Sequence, residues 1–238
     1  IPLERSADVL DELAEVEMHG IQTSGNCIRN ITADALAGVA DDEIADPRPF
    51  CEIMRQWSSL HPEFAALPRK FKIAVNGSRA DRAATGWYDV GLQLLRDEHG
   101  ELGFQVSVGG GMGRTPIVGT VIRDFLPWQQ LLTYLEAVLR IYNGYGRRDN
   151  IWKARIKVIV KAFGQKFVQQ VEDEFAALLE SDGDGVAPLI TQAEFDRVAG
   201  WFGLPAGVDE ATASPAAPVA DAPLAYRRWL ERNVLPHR

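Results

Sequence analysis

The sequence predicts an α+β fold, a mixed β-sheet with helices packed on one face. Three observations carry that prediction. The proline-led stretch Leu67-Pro68-Arg69-Lys70-Phe71-Lys72-Ile73-Ala74-Val75 alternates in character as a strand does. Residues 87–108 alternate on both sides of a polar turn, as a β-hairpin does. Two later segments, 125–142 and 167–179, space their apolar residues three and four apart, along one face of a helix. The expected strands lie near 26–32, 69–76, 88–96 and 103–109, with 151–159 a candidate fifth. Helices near 128–142 and 165–179 cover one face.

Composition narrows the class. The chain has 238 residues, 46% of them hydrophobic, and a formal net charge of −8, which is ordinary for a soluble globular protein. The acidic total argues against nucleic acid as a partner, since a nucleic-acid binder shows a basic surplus. No apolar run is long enough to span a bilayer, and no basic-then-apolar leader opens the chain, so a cytoplasmic protein without a membrane partner is expected. Ile1 rather than Met leads to the expectation of a piece of a longer protein. Cys27 and Cys51 lack metal-ligand spacing, and two thiols cannot hold an iron–sulfur cluster of the four-cysteine kind, so no metal ligand is assigned.

In chain order, 7–19 reads as an amphipathic helix with Val9, Leu10, Leu13, Ala14 and Val16 apolar, stopped at Gly20. Small and polar residues then lead into a short β-like segment holding Arg29. An isolated arginine after a glycine turn faces a site or a salt bridge. Residues 41–50, acidic and broken by Pro47 and Pro49, read as a loop. A helix over 51–60 turns Ile53, Met54 and Trp57 inward.

The strand that follows has two readings. As a strand it sets Arg69, Phe71, Ile73 and Val75 on one face and Lys70, Lys72 and Ala74 on the other. Two ammonium groups on one face repel, and an anion between them relieves that cost. An edge strand guarded by lysines is the alternative. In the hairpin, Val90, Leu92 and Leu94 alternate before Asp97-Glu98-His99-Gly100, and Phe104, Val106 and Val108 after it. His99 belongs to the turn and faces solvent.

The second arm runs into Gly109-Gly110-Gly111-Met112-Gly113-Arg114. Glycines let backbone approach a ligand and offer amide N–H groups to anions. The spacing fits neither a Walker loop nor a dinucleotide fingerprint; a mobile loop is the other reading. The helix over 125–142 takes Pro127 in its first turn, buries Leu131, Leu135, Val138, Leu139 and Tyr142, and ends at Gly144 and Gly146. Bases then crowd together: Arg140, Arg147, Arg148, Lys153, Arg155, Lys157, Lys161 and Lys166, with Asp149 the only acid among them. From 153 to 158, basic and apolar residues alternate. As a strand this makes a basic row; as a helix start it scatters the charges; as a solvated face it does nothing.

Asp182-Gly183-Asp184-Gly185 lacks the spacing of a calcium loop and reads as a turn. Thr191 caps a short helix over 192–202. The Ala/Pro-rich stretch 204–223 is a linker. One more short helix follows over 224–233.

Taken together, Thr23-Ser24-Gly25-Asn26-Cys27-Ile28-Arg29-Asn30, Asp46-Pro47-Arg48-Pro49, Leu67-Pro68-Arg69-Lys70-Phe71-Lys72 and Val108-Gly109-Gly110-Gly111 give the chain a resemblance to the siroheme-dependent assimilatory sulfite and nitrite reductases, the hemoprotein (β) component. The resemblance runs from about residue 13 to 175. It implies a siroheme-domain-like fold, siroheme and a 4Fe–4S cluster in the parent protein, and six-electron reduction of sulfite to sulfide or nitrite to ammonia. Electrons would come from a flavoprotein or ferredoxin. On the family pattern, Arg29, Lys70 and Lys72 match substrate-binding bases. Arg69, Gly109, Gly110, Gly111, Arg147, Arg148, Asn150, Lys153, Arg155 and Lys157 are candidates for cradling siroheme carboxylates. Residues 1–20 resemble the end of an upstream ferredoxin-like half, 21–203 the siroheme and substrate domain, and 224–238 the start of a second half. The cluster cysteines and a further substrate arginine of the family have no match here. The piece alone is therefore expected to be inactive and to retain neither cofactor. A non-catalytic tetrapyrrole- or oxyanion-binding module is the alternative.

Overall fold

The computed structural model describes residues 1–59, 61–181, 189–203 and 222–233. The expected turn at 182–185 and all but the last two residues of the 204–223 linker lie outside them. The chain builds one five-stranded sheet: β1 (Ile28–Thr32), β2 (Phe71–Asn76), β3 (Val90–Arg96), β4 (Leu102–Val108) and β5 (Thr120–Pro127), side by side in chain order. β1, β2 and β3 run parallel, and β4 and β5 antiparallel to their neighbours, so the sheet is mixed as expected. The helices are α1 (Ser6–Glu15), α2 (Arg48–Ser58), α3 (Leu131–Tyr145), α4 (Ile156–Phe163), α5 (Gln165–Glu180), α6 (Gln192–Ala199) and α7 (Leu224–Asn233).

The period-two pattern decides which face is buried. Phe71, Ile73 and Val75, Val90, Leu92 and Leu94, and Phe104, Val106 and Val108 are all fully buried on one face. Phe50 of α2 meets Phe104 edge-on with centroids 5.1 Å apart, and Tyr142 of α3 meets Phe71 at 5.6 Å. The stripe expected on α3 is buried throughout. Behind α3, α5 buries Phe167, Val171, Phe175 and Leu178, with Tyr134 against Phe175 at 5.0 Å. Thr191 caps α6 as expected, its hydroxyl accepting from Glu194 N–H. The terminal helices α1 and α7 bury no side chain. No described helix is long and apolar enough to cross a membrane.

Several boundaries differ from the sequence reading. The alternating stretch 153–158 is not a strand: a 3-10 turn (Ile151–Lys153) precedes α4, because Ile156 and Ile159 bury at helical spacing. The fifth strand is instead β5, which buries only Ile122 and Leu126 and so leaves a weak signal. Pro127 ends that strand and caps a 3-10 turn (Trp128–Gln130) that leads into α3, which starts at Leu131 and runs through Gly144. α2 starts at Arg48 inside the expected loop, with Pro49 in its first turn, where a missing N–H costs nothing. α1 stops at Glu15, before a left-handed Glu17, not at Gly20. β2 begins at Phe71, so Arg69 and Lys70 lie in the bend before it. Arg69 does not share the core face; it lines a cavity with Lys70.

The parallel step from β2 to β3 is made without an α-helix. Residues 77–89 cross the face opposite the helices, held where the amide of Asn76 reaches Ser78 O (2.6 Å) and Gln93 Oε1 (2.7 Å). This crossover presses on Gly91, where a Cβ would stand 2.4 Å from Thr85 O and 2.7 Å from Ser107 Oγ. Gly91→Ala is expected to lower stability by about 1–3 kcal/mol through overpacking, read as a shift in the urea midpoint.

Candidate functional site

The starts of β1, β2 and β3, the end of β4 and the start of α4 meet at one end of the sheet. Two joined cavities open there, of about 460 and 700 Å³, sharing Lys70, Met112 and Arg155. The smaller also takes Lys72, Trp87, Tyr88 and Asp89. The larger is walled by Ile117, Ile151, Trp152 and Val158 and rimmed by Arg69, Arg114, Lys153, Lys157 and Lys161. Trp152 is 87% exposed on this wall. Among the described residues, eight bases and a single acid line the pair, although the chain as a whole is acidic.

That concentration is felt by the lysines. Burial, and then the charges of Arg29, Arg155, Lys72 and Arg69, hold the Lys70 ammonium below its usual range. Burial and Arg155 do the same to Lys157, whose Nζ donates to Thr115 O (2.6 Å) and Met112 O (3.2 Å) and so fastens the glycine-rich loop. Asp89 is the buried counter-charge. Its Oδ1 accepts from Arg155 Nε (2.9 Å) and Nη2 (2.7 Å), and its Oδ2 from Lys72 N–H (3.0 Å). Burial raises its pKa, and Arg155 opposes the rise.

The glycines serve close approach. Gly109 has φ +86 and abuts Val160 of α4, where a Cβ would stand 2.9 Å away. A Cβ on Gly110 would stand 2.3 Å from Gly86 O, and one on Gly111 would reach Lys157 Cδ at 3.2 Å and Arg155 Nη2 at 3.3 Å. The Gly109 and Gly111 amides donate to Asp89 O and Ile117 O, both at 2.9 Å.

Of the sequence-selected residues, the structure brings together Arg69, Lys70, Lys72, Lys153, Arg155, Lys157 and the glycine loop. Arg29 lies beside them: its Nε donates to Gly25 O (2.8 Å), it lines a separate cavity with Arg48 and Arg55, and its charge still reaches Lys70. Arg147, Arg148 and Asn150 line neither joined cavity. Arg147 pairs with Asp149, Arg148 donates to Ala66 O (3.0 Å), and Asn150 caps Trp152 N–H (3.0 Å). Asp89 was missed from sequence, since one acid at the head of a strand carries no local signal. So were Met112, Arg114 and Trp152, whose roles depend on which loop faces which.

Arg155→Ala strands a buried carboxylate and is expected to cost about 3–5 kcal/mol at pH 8. Losing the cation raises the folded-state pKa of Asp89 further above its unfolded value. Stability is then retained below the unfolded carboxylate range and lost as pH rises through the folded pKa. Urea unfolding at pH 5 and pH 8 checks this, with the smaller loss expected at pH 5.

Comparison with known proteins agrees with this fold. Residues 24–178 match the family model described as the nitrite and sulphite reductase 4Fe-4S domain. Sulfite reductase (ferredoxin) 1 of Mycolicibacterium paratuberculosis is 35% identical over 190 residues, 78% of this chain and 34% of that protein. The assimilatory ferredoxin-dependent nitrite reductase of Haloferax mediterranei is 28% identical over 193 residues, 78% of this chain and 33% of its own. The chain thus spans about a third of the length of these curated relatives. The structure of the Mycobacterium tuberculosis NirA protein superposes with a TM-score of 0.67 at 29% identity, over 79% of this chain and 32% of that one. Dissimilatory sulfite reductase I shares the fold at 11% identity, with a TM-score of 0.58 over 98% of this chain and 67% of that one. With its model matched over more than half of the residues, the chain belongs to the nitrite and sulphite reductase 4Fe-4S domain family.

Proposed function

We propose that this chain is the siroheme- and oxyanion-binding piece of a reductase that adds six electrons to sulfite, giving sulfide, or to nitrite, giving ammonia. The observation that carries the reading is the set of eight bases facing one acid around two joined cavities in an acidic chain. Residues 21–203 would hold the site, 204–223 would link it onward, and the terminal helices would belong to adjoining ferredoxin-like halves. The names of the relatives favour ferredoxin over a flavoprotein as donor.

The residues fit a polycarboxylate macrocycle. The larger cavity offers an apolar wall in Ile117, Ile151, Trp152 and Val158, and cations at its rim. Arg69, Lys153, Arg155 and Lys157 would hold carboxylates, as planar or point-charge donors do. Siroheme, when bound, supplies the iron through which electrons reach the substrate. Lys70 and Lys72, in the adjoining cavity, direct positive charge at oxygen as its bond breaks, with Arg29 adding to the field. A lysine held below its usual pKa also releases a proton more readily, which suits Lys70 to the proton supply that oxygen leaving as water requires.

The residues do not fit the 4Fe–4S cluster. Cys27 is buried with its thiol donating to Ser24 O (3.2 Å), and burial pushes the Cys51 thiol up to about 12. Among the described residues no group of three or more His, Cys, Asp or Glu is placed to hold a metal. Two thiols cannot replace four, so the cluster would rest on cysteines of a longer parent protein, and this piece alone would not turn over. The same deficit is what a non-catalytic tetrapyrrole-binding module would present.

Lys70→Ala or Lys72→Ala in the full-length protein is expected to lower kcat by about 10²-fold while the siroheme absorption spectrum is unchanged. Turnover equal to that of the unmodified protein would reject the role given to these two lysines, and an unmodified full-length protein that binds siroheme without turnover would favour the binding module.

A further inference from the structure

We propose that Asp89 is a positioning residue for the anion site, tying Arg155, the segment bearing Lys70 and Lys72, and the glycine loop to one another. The inference rests on the site reading above. An acid is a poor choice in a pocket that recruits anions, since by charge alone it weakens the field, and burying it carries a desolvation cost. Its contacts account for its presence. One carboxylate oxygen takes two donors of Arg155, the other takes Lys72 N–H, and the Asp89 carbonyl takes Gly109 N–H at 2.9 Å. Three of the elements that build the site thus meet on one residue whose side chain is 1% exposed.

Arg155 is held by the Nε and Nη2 edge, and its Nη1 donates to no described residue. It lines both cavities, so it is fixed in place and still able to meet a ligand. Untethered, its long side chain would have to be ordered each time an anion bound. An asparagine at 89 could still accept from Lys72, but it turns an amide N–H₂ toward one of the two donor sets and loses the charge pairing.

Charge and position predict opposite signs, which makes the test sharp. The probe is uroporphyrin III, an iron-free octacarboxylate tetrapyrrole, titrated into the 238-residue chain and followed by tryptophan quenching. Reversible binding of the added probe is expected even where purification would not retain a cofactor. For folded Asp89→Asn we expect about tenfold weaker binding, the worth of one charge-assisted hydrogen bond. We also expect the Arg155 Nε–H resonance to pass from slow to fast solvent exchange. Equal or tighter binding, as removal of a negative charge alone predicts, overturns the proposal. Should Asp89→Asn fail to fold, Asp89→Glu keeps the charge but displaces it: weaker binding supports positioning, and unchanged binding overturns it. Failure of the unsubstituted chain to bind overturns the site reading and this proposal together, and is recognised before any variant is compared.

Discussion

The carboxylate of Asp89 accepts from a strand, through Lys72 N–H, and from the arginine that precedes α4, while its carbonyl accepts from the first glycine after β4. β2 and β3 are parallel neighbours, and their first ladder pair joins Ile73 to Val90. One residue earlier, the side chain of Asp89 serves Lys72 where a strand carbonyl would otherwise be needed. The end of the sheet where the site forms is therefore closed by a side chain. This lets the sheet stop short, leaving room for the cavities, without leaving backbone donors unpaired in a buried place.

Arginine is put to two uses in this molecule. In the helical layer it is neutralised: Arg140 meets Glu63, Glu136 and Glu174, and Arg123 meets Glu172, which also takes the Tyr134 hydroxyl. These pairs join α3 to α5 and β5 to α5, and no positive charge is left over among them. At the cavities the balance is reversed. Asp89 answers Arg155, while Arg69, Lys70, Lys72 and Arg114 face the same space with no second acid among the described residues of the lining. Burial first, and then the neighbouring positive charges, hold the Lys70 ammonium below its usual range. Positive charge held close by the fold is costly to stability and useful to anion binding.

Most of the architecture was legible in the chain. The hairpin was, because Val90, Leu92, Leu94, Phe104, Val106 and Val108 alternate cleanly around a polar turn. So were α3 and α5, whose apolar stripes are long. β5 was not, since it buries only Ile122 and Leu126 at a spacing of four and so imitates a helix. The stretch 153–158 misled in the other direction: its basic–apolar alternation matched a strand by accident of charge placement, while Ile156 and Ile159 answered to the helix.

The sequence by itself determined the sheet's core face, the helices that cover it, the pair of lysines and the glycine loop, because each of these is a local pattern with a fixed period or spacing. It also placed the chain among the siroheme reductases through four short motifs in order. Only the tertiary structure decided which of the many bases share one space. Arg147 and Arg148, adjacent in the chain to the others, are taken up by Asp149 and Ala66, while Arg69 and Arg114, distant in sequence, face the same cavity. It also decided that Asp89 is the acid among them. Charge acts through space and falls with distance, so its effect depends on packing between strands that lie far apart in the chain.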